Sequence, residues 1–511
     1  MNKTLIPITL VLLLGGEVAT AQPPLPEGLQ NNEQQEASSN PQEPALPEGL
    51  GGNGTDSSPE PALPAGLGGG ESQPADSGPA LPEGLGGGTP SSATPETEPQ
   101  PEDDPFGGVL SDWRFTGFWD NRAGVRFVDP IDQETFQLAE SRLQIKALRS
   151  WDNVTTTITA DFIGDAVAEQ HDPDLNTGDG FIDLREANVL WRAAPWLDIK
   201  AGRQILTWGT GDFIFLNDLF PKDYQSFFIG RRDVYLKAPS DAIKASFFSD
   251  IANLDIVYTP QFDSDRFAHG SRLHVYNPFL GRMTGDSQPL NVVKPNGVFD
   301  DDEWAGRLYR TFGAYELAFY AYDGFWKSPN GLLPAQQSLT FNELSAYGAS
   351  VRGPAAGGIG NVEVSYYDSS DDADGDNPNI PNSQFRTLVG YERELIPNLT
   401  GSIQYNTEFI FDHDDLLRTQ PAGAPTPDEL RHLLAFKLVR SWPEEQITAT
   451  FFTFYSPSDE EVYIRPRLKW DITDQLTLES GINWMFGTPQ TTQFAQFEED
   501  SNAFFAVRYG F

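Results

Sequence analysis

Phe505-Ala506-Val507-Arg508-Tyr509-Gly510-Phe511, the last seven residues, decide how the rest of the chain is read. Successive side chains of a strand point to opposite faces. Phe505, Val507, Tyr509 and Phe511 therefore share one face, and Ala506, Arg508 and Gly510 the other. A row of large apolar groups backed by small or charged ones is the two-residue period of a strand with lipid on one side and water on the other. An edge strand of a soluble sheet can alternate in the same way, so the reading needs support from further up the chain.

That support is extensive. In 461–470, Val462, Ile464, Pro466, Leu468 and Trp470 oppose Tyr463, Arg465, Arg467 and Lys469. In 141–147, Leu143, Ile145 and Ala147 oppose Arg142, Gln144 and Lys146. From Phe106 onward the pattern predicts strands at 112–120, 135–148, 153–163, 185–193, 196–206, 242–249, 252–259, 304–312 and 315–323. It continues at 342–352, 360–368, 384–394, 399–409, 431–440, 445–455, 461–470, 475–485 and 502–511. Short links such as Arg149–Asp152, Gly313–Ala314 and Asp471–Asp474 alternate with long ones such as 164–184, 207–241 and 260–303. Alternating short turns and long loops are the hairpin rhythm of a transmembrane barrel. The expectation is an all-β, antiparallel transmembrane barrel over 106–511, with about eighteen strands (16 possible).

The other end of the chain has a different character. Met1-Asn2-Lys3, the apolar run Ile6 to Gly16 and the small residues Ala19-Thr20-Ala21 read as a signal peptide, 1–21. No later run is apolar and long enough for a membrane-spanning helix. Residues 22–105 are rich in Pro, Gly, Glu and Ser and hold 15 carboxylates with no Lys or Arg. Such a segment cannot offset its chain entropy by burial and is expected to be a disordered linker. It repeats: Pro23–Leu29, Pro44–Leu50, Pro61–Leu67 and Pro79–Leu85 are four near-copies of an LPxGL unit. They read either as a spacer or as docking motifs for a periplasmic partner, each offering two Leu on a polyproline-like stem.

Composition narrows the function. The chain of 511 residues has no Cys, so its stability comes from a large closed structure rather than disulfides. The 35 Phe, 16 Tyr and 11 Trp suit strands and membrane-interface girdles. A net charge of −40 argues against a nucleic-acid partner. The excess of carboxylates in the loops suits a salty habitat or divalent-cation bridging to lipopolysaccharide.

The terminal row Phe505, Val507, Tyr509 and Phe511 resembles the C-terminal strand of bacterial outer-membrane proteins. The resemblance implies recognition by the barrel assembly machinery and a Gram-negative outer membrane with both chain ends in the periplasm. Arg185-Glu186-Ala187, Gly202-Arg203-Gln204 and Trp208-Gly209 resemble the porin-like families that include the alginate-export channels. That implies a substrate-conducting channel without identifying the substrate.

The expected function is diffusion of small hydrophilic or anionic solutes, with an export component docked through the repeats as the alternative. Arg142, Lys146, Arg465, Arg467 and Lys469 are expected to form a basic wall, with Arg185 and Arg203 also facing the lumen. The aromatic run 213–232 is expected to fold inward as a constriction carrying Asp218, Lys222, Asp223, Arg231 and Arg232. Asp174, Asn176, Asp179 and Asp183 have part of the spacing of a calcium loop, giving a candidate calcium site and no other cofactor. His269-Gly270-Ser271 and His413-Asp414-Asp415 lack a third orienting group at useful spacing, so no enzyme is expected.

Overall fold

Strands with one apolar and one polar row leave two unpaired edges if the sheet stays open, and closure removes both. The computed structural model of the chain describes residues 111–167, 171–421 and 424–511. One closed sheet contains eighteen strands. They are β1 Arg114–Arg126, β2 Phe136–Trp151, β3 Val154–Asp165, β4 Ile182–Ala194, β5 Leu197–Ile205 and β6 Pro239–Phe247. Next come β7 Asn253–Thr259, β8 Glu303–Phe312, β9 Tyr315–Phe325, β10 Glu343–Ala355, β11 Gly358–Asp368 and β12 Gln384–Ile396. The last are β13 Leu399–Ile410, β14 Leu430–Trp442, β15 Ile447–Ser456, β16 Glu461–Asp471, β17 Leu476–Gly487 and β18 Asn502–Gly510.

These are the eighteen strands that the alternation predicts, with ends moved by a few residues. Every strand pairs antiparallel with its sequence neighbours, and β1 pairs with both β2 and β18. Phe511 completes the seam: Gly117 N donates to Phe511 O at 2.9 Å, and Phe511 N to Gly117 O at 3.0 Å. The expected signal peptide 1–21 and linker 22–105 lie outside the described residues.

The two ends of the barrel differ. One carries tight turns such as Gly313–Ala314 and Ala356–Gly357, where Gly313 (φ 60°), Ala356 (φ 45°) and Gly357 (φ 79°) take the left-handed conformation that suits hairpin twist. The other carries long connections, including 206–238, 260–302, 326–342 and 488–501.

The outward rows are apolar. Trp119 (52 %), Val189 (43 %), Phe319 (51 %), Val389 (50 %), Leu468 (46 %) and Phe505 (51 %) stand about half exposed. Apolar surface on this scale around a whole barrel matches lipid rather than water. Trp151, Trp191, Trp442 and Trp470 cluster near the tight-turn end, and Trp304, Trp484 and Phe385 near the other, as two aromatic girdles. Among the described residues no helix is long and apolar enough to cross a membrane.

Candidate functional site

Residues 206–238 join β5 to β6 by way of the barrel interior. Buried backbone needs partners, and the inner rows of the far walls supply them. Glu363 of β11 accepts from the backbone N–H of Thr210, from Gly211 N at 3.0 Å and from Asn217 Nδ2 at 3.0 Å. Tyr367 Oη donates to Leu216 O at 2.5 Å. Phe213 lies 4.1 Å, centroid to centroid, from Phe452 of β15. The chain then makes one short helix, α1 Tyr224–Ile229, with Asp223 Oδ1 accepting from Ser226 N at 2.7 Å as its cap. Phe227 and Phe228 pack on Tyr463 of β16, and Phe228 also on Phe497. The helix ends at Gly230 (φ 91°), where an added Cβ would stand 2.6 Å from the Phe504 ring. Only glycine fits both the conformation and the space.

Beyond Gly230 the segment is held by charge. Arg122 Nη1 of β1 donates to Gly230 O at 2.9 Å. Arg231 grips Glu140 of β2 through Nε at 2.9 Å and Nη2 at 2.6 Å. Asp233 lies between Arg465 Nη1 at 2.6 Å and Arg467 Nη1 at 2.9 Å, both on β16. Burial would raise the Asp233 carboxyl, but the two guanidinium groups hold it below its ordinary value. Tyr235 donates to Asp161 Oδ2 of β3 at 2.9 Å, and the Arg142 and Arg185 guanidinium groups stack over its ring at 4.5 and 4.9 Å.

The structure distributes the sequence-predicted residues unevenly. Arg142 and Lys146 stand on the inner row of β2, and Arg465, Arg467 and Lys469 on the inner row of β16. β17, β18 and β1 join these strands into one arc of wall. The wall is less basic than its sequence. Arg142 is neutralised by Glu140 and Asp161, both at 2.6 Å, and Lys469 meets Asp471 at 3.1 Å. Arg185 is buried beside Asp183 at 3.7 Å.

Arg203 departs from expectation. Its register partners are Ala187 and Asp241, on the rows that carry outward Val189 and Ile243. It pairs with Asp241 at 2.7 Å at the long-loop rim, on the outer face. The register of β5 runs unbroken through Gly202, so Arg203 shares the row of Ile199 and Ala201.

In the crossing segment, Asp218 and Lys222 pair with each other at 3.1 Å, Asp223 serves as helix cap, and Arg232 stands 3.9 Å from Glu479. The first three hold the segment's own shape rather than facing open space. The calcium expectation also fails on geometry. Asp183 is occupied by Arg266, whose Nη2 and Nη1 lie 2.9 and 3.0 Å from its two oxygens, while Asp174 binds the backbone of its own turn. Among the described residues no group of three or more His, Cys, Asp or Glu is placed to hold a metal ion.

Two open spaces flank the crossing segment. A cavity of about 550 Å³ at the tight-turn end is lined by Arg232, Lys469, Arg508, Asp471, Thr448 and Thr477. A smaller one of about 180 Å³ at the long-loop end is lined by Arg266, Lys294, His269, Asp179, Asp265 and Phe341. Burial lowers the Lys294 ammonium from its ordinary value.

Sequence reasoning missed Arg508, although it alternates with the terminal apolar row and is inward by parity. It also missed Glu140 and Glu479, which share inner rows with Arg142 and Gly481. Asp233, Tyr235 and Arg266 lie in connections, where no period assigns a direction. His413 Nε2 bonds to Pro427 O at 2.8 Å.

No family model matches the chain, and no curated protein is similar to it in sequence. Among solved structures, it is similar to OccAB1 of Acinetobacter baumannii, with 9 % identity, 79 % of this chain and 97 % of that chain covered, and a TM-score of 0.47. It is similar to OccD3 (OpdP) of Pseudomonas aeruginosa, with 8 % identity, coverages of 79 % and 92 %, and a TM-score of 0.45. It is also similar to the outer membrane channel DcaP of Acinetobacter baumannii, with 12 % identity, coverages of 78 % and 97 %, and a TM-score of 0.37.

Proposed function

We propose that the chain is an outer-membrane channel of porin type for small hydrophilic solutes, anions favoured, and that residues 206–238 form its constriction. The observation that carries this reading is the contrast between the two rows of each strand. The outer rows are apolar, while the inner rows carry charge around a segment that crosses the interior. Closely opposed charges in a narrow lumen orient dipolar solutes and set ion preference. Arg232, Lys469 and Arg508 around the larger cavity favour anions at that end. Short turns belong to the periplasmic side in this reading, which puts both chain ends there.

The finer assignment to the alginate-export type rests on Arg185-Glu186-Ala187 and Gly202-Arg203-Gln204 lying on the adjacent strands β4 and β5. Block of the current by alginate oligomers is its test. Docking through the LPxGL repeats concerns residues outside the described structure and is tested by scrambling them.

Planar-bilayer recording of the full chain tests the channel itself. The expected result is a small conductance that passes anions over cations. Changing Arg465, Arg467 and Lys469 together to Gln should move the reversal potential toward cations. A folded barrel without current would replace the channel with a closed structural anchor.

A further inference from the structure

Charged residues on outward rows are few, and they separate by end. At the tight-turn end stand Arg149, Arg310, Arg393 and Arg440, whose register partners are Thr156, Leu317, Gly401 and Leu399 on neighbouring outward rows. At the long-loop end stand Asp241, Asp323, Glu343 and Asp368. The remaining outward cation, Arg203, is neutralised there by Asp241. The lipid-facing surface is thus cationic at one rim and anionic at the other, on a chain whose net charge is −40.

Three of the four arginines also share a local construction. Arg149 lies over Trp151 at 5.1 Å, Arg310 over Phe312 at 5.0 Å and Arg440 over Trp442 at 5.6 Å. Each is an Arg-x-aromatic pair at a strand end, with the ring in the girdle. Arg310 and Arg440 each spend one donor on a turn carbonyl, Ile251 O at 2.6 Å and Pro397 O at 2.8 Å, while Arg149 meets Asp112 at 2.9 Å. A guanidinium has five donors in a fixed fork that matches phosphate oxygens. Fixing one donor and stacking one face leaves further donors on Arg310 and Arg440 for a headgroup phosphate, while Arg149 shares its charge with Asp112.

We infer that this rim is a binding surface for the phosphate headgroups of glycerophospholipids in the leaflet that meets the tight-turn end. The inference rests on the barrel spanning a membrane and is independent of what the interior conducts. Carboxylates at the opposite rim repel the same headgroups, so the rims hold the barrel at a defined depth and polarity. Anionic phospholipid should be held more tightly than zwitterionic, since choline or ethanolamine partly cancels the phosphate charge.

The test is native mass spectrometry of the full chain from micelles doped with equal phosphatidylglycerol and phosphatidylcholine. The wild-type protein should retain phosphatidylglycerol about fivefold or more over phosphatidylcholine. The variant Arg149→Gln/Arg310→Gln/Arg393→Gln/Arg440→Gln should lose that preference, the corresponding Arg→Lys variant should keep most of it, and Asp323→Asn/Asp368→Asn should leave it unchanged. Equal retention of both lipids by the wild-type protein overturns the inference, whether or not the Gln variant folds. So does a folded Gln variant that keeps the wild-type preference for phosphatidylglycerol. A current in planar bilayers is unaffected by either failure, which keeps this test separate from that of the channel.

Discussion

The two rows of β16 form the sharpest contrast in the molecule. Outward, Val462, Ile464, Pro466, Leu468 and Trp470 need nothing but a hydrocarbon solvent, and any apolar residue would serve. Inward, Glu461, Tyr463, Arg465 and Arg467 are each engaged by a partner from another part of the chain: Glu461 by Phe494 N, Tyr463 by Asn483, and the two arginines by Asp233. The outer row is specified by composition and the inner row by pairing. The consequence is a difference in tolerance: a change outside is graded by depth and charge, whereas a change inside leaves a buried partner behind.

The largest effect expected from this contrast is inside. Asp233→Asn leaves Arg465 and Arg467, 1 % exposed in the first case, without their counter-charge. Breaking a buried pair costs about 3–5 kcal/mol. Here the cost falls on docking of the crossing segment, because the barrel ladder itself is untouched. Conductance should rise and selectivity should move toward anions, while the folded fraction stays near wild type. Acid should act in the same direction. Because the Asp233 carboxyl is held below its ordinary value, its contribution is complete above about pH 4 and is lost only as pH falls through the lower folded value. Conductance unchanged in Asp233→Asn would mean that the other ties, Arg231 to Glu140, Tyr235 to Asp161 and the packing of Phe227 and Phe228, hold the segment without this pair.

The next effect is outside. Phe505 pairs with Ser480, midway between Leu476 and the girdle residue Trp484 on the outward row of β17. Phe505→Arg places a charge near mid-membrane, where it costs about 2–4 kcal/mol. Urea unfolding in lipid vesicles should show that loss, with the reversal potential of the surviving channels unchanged. A shift in selectivity instead would place Phe505 on the inner row and invert the parity of the closing strand.

The legibility of the chain follows the same division. All eighteen strands were readable because lipid outside and charge inside impose a period of two on each. The inward direction of Arg465, Arg467 and Lys469 followed from the same period, and the aromatic content of 213–232 marked a segment unsuited to free solvent. What was not readable is who meets whom. Asp233 and Arg465 are far apart in sequence, and nothing local links Arg266 to Asp183. The calcium reading of 174–183 failed for this reason: a distant guanidinium takes the carboxylate that a cation would need. Arg203 failed differently: the Gly-Arg-Gln resemblance suggested the lumen, whereas the two-residue period of β5 puts Arg203 on the row of Leu197, Ile199, Ala201 and Ile205.

Arg203 also provides the finest test of the comparison. It is a buried arginine paired with a carboxylate, as Arg465 is, but its partner Asp241 is 56 % exposed on its side chain and the pair stands on the outer face. An exposed partner is already solvated, so losing the pair adds little desolvation penalty. Arg203 also donates to Leu184 O at 2.6 Å and to Leu175 O, and those bonds tie the 171–181 connection to the rim. Arg203→Gln should therefore cost about 1 kcal/mol. It should raise protease access to 171–181 and leave the reversal potential where it was. Arg465→Gln, changed alone, should move the reversal potential under the same conditions. Equal shifts from the two variants would mean that Arg203 reaches the conducting path after all, and the division between rows would then fail at β5.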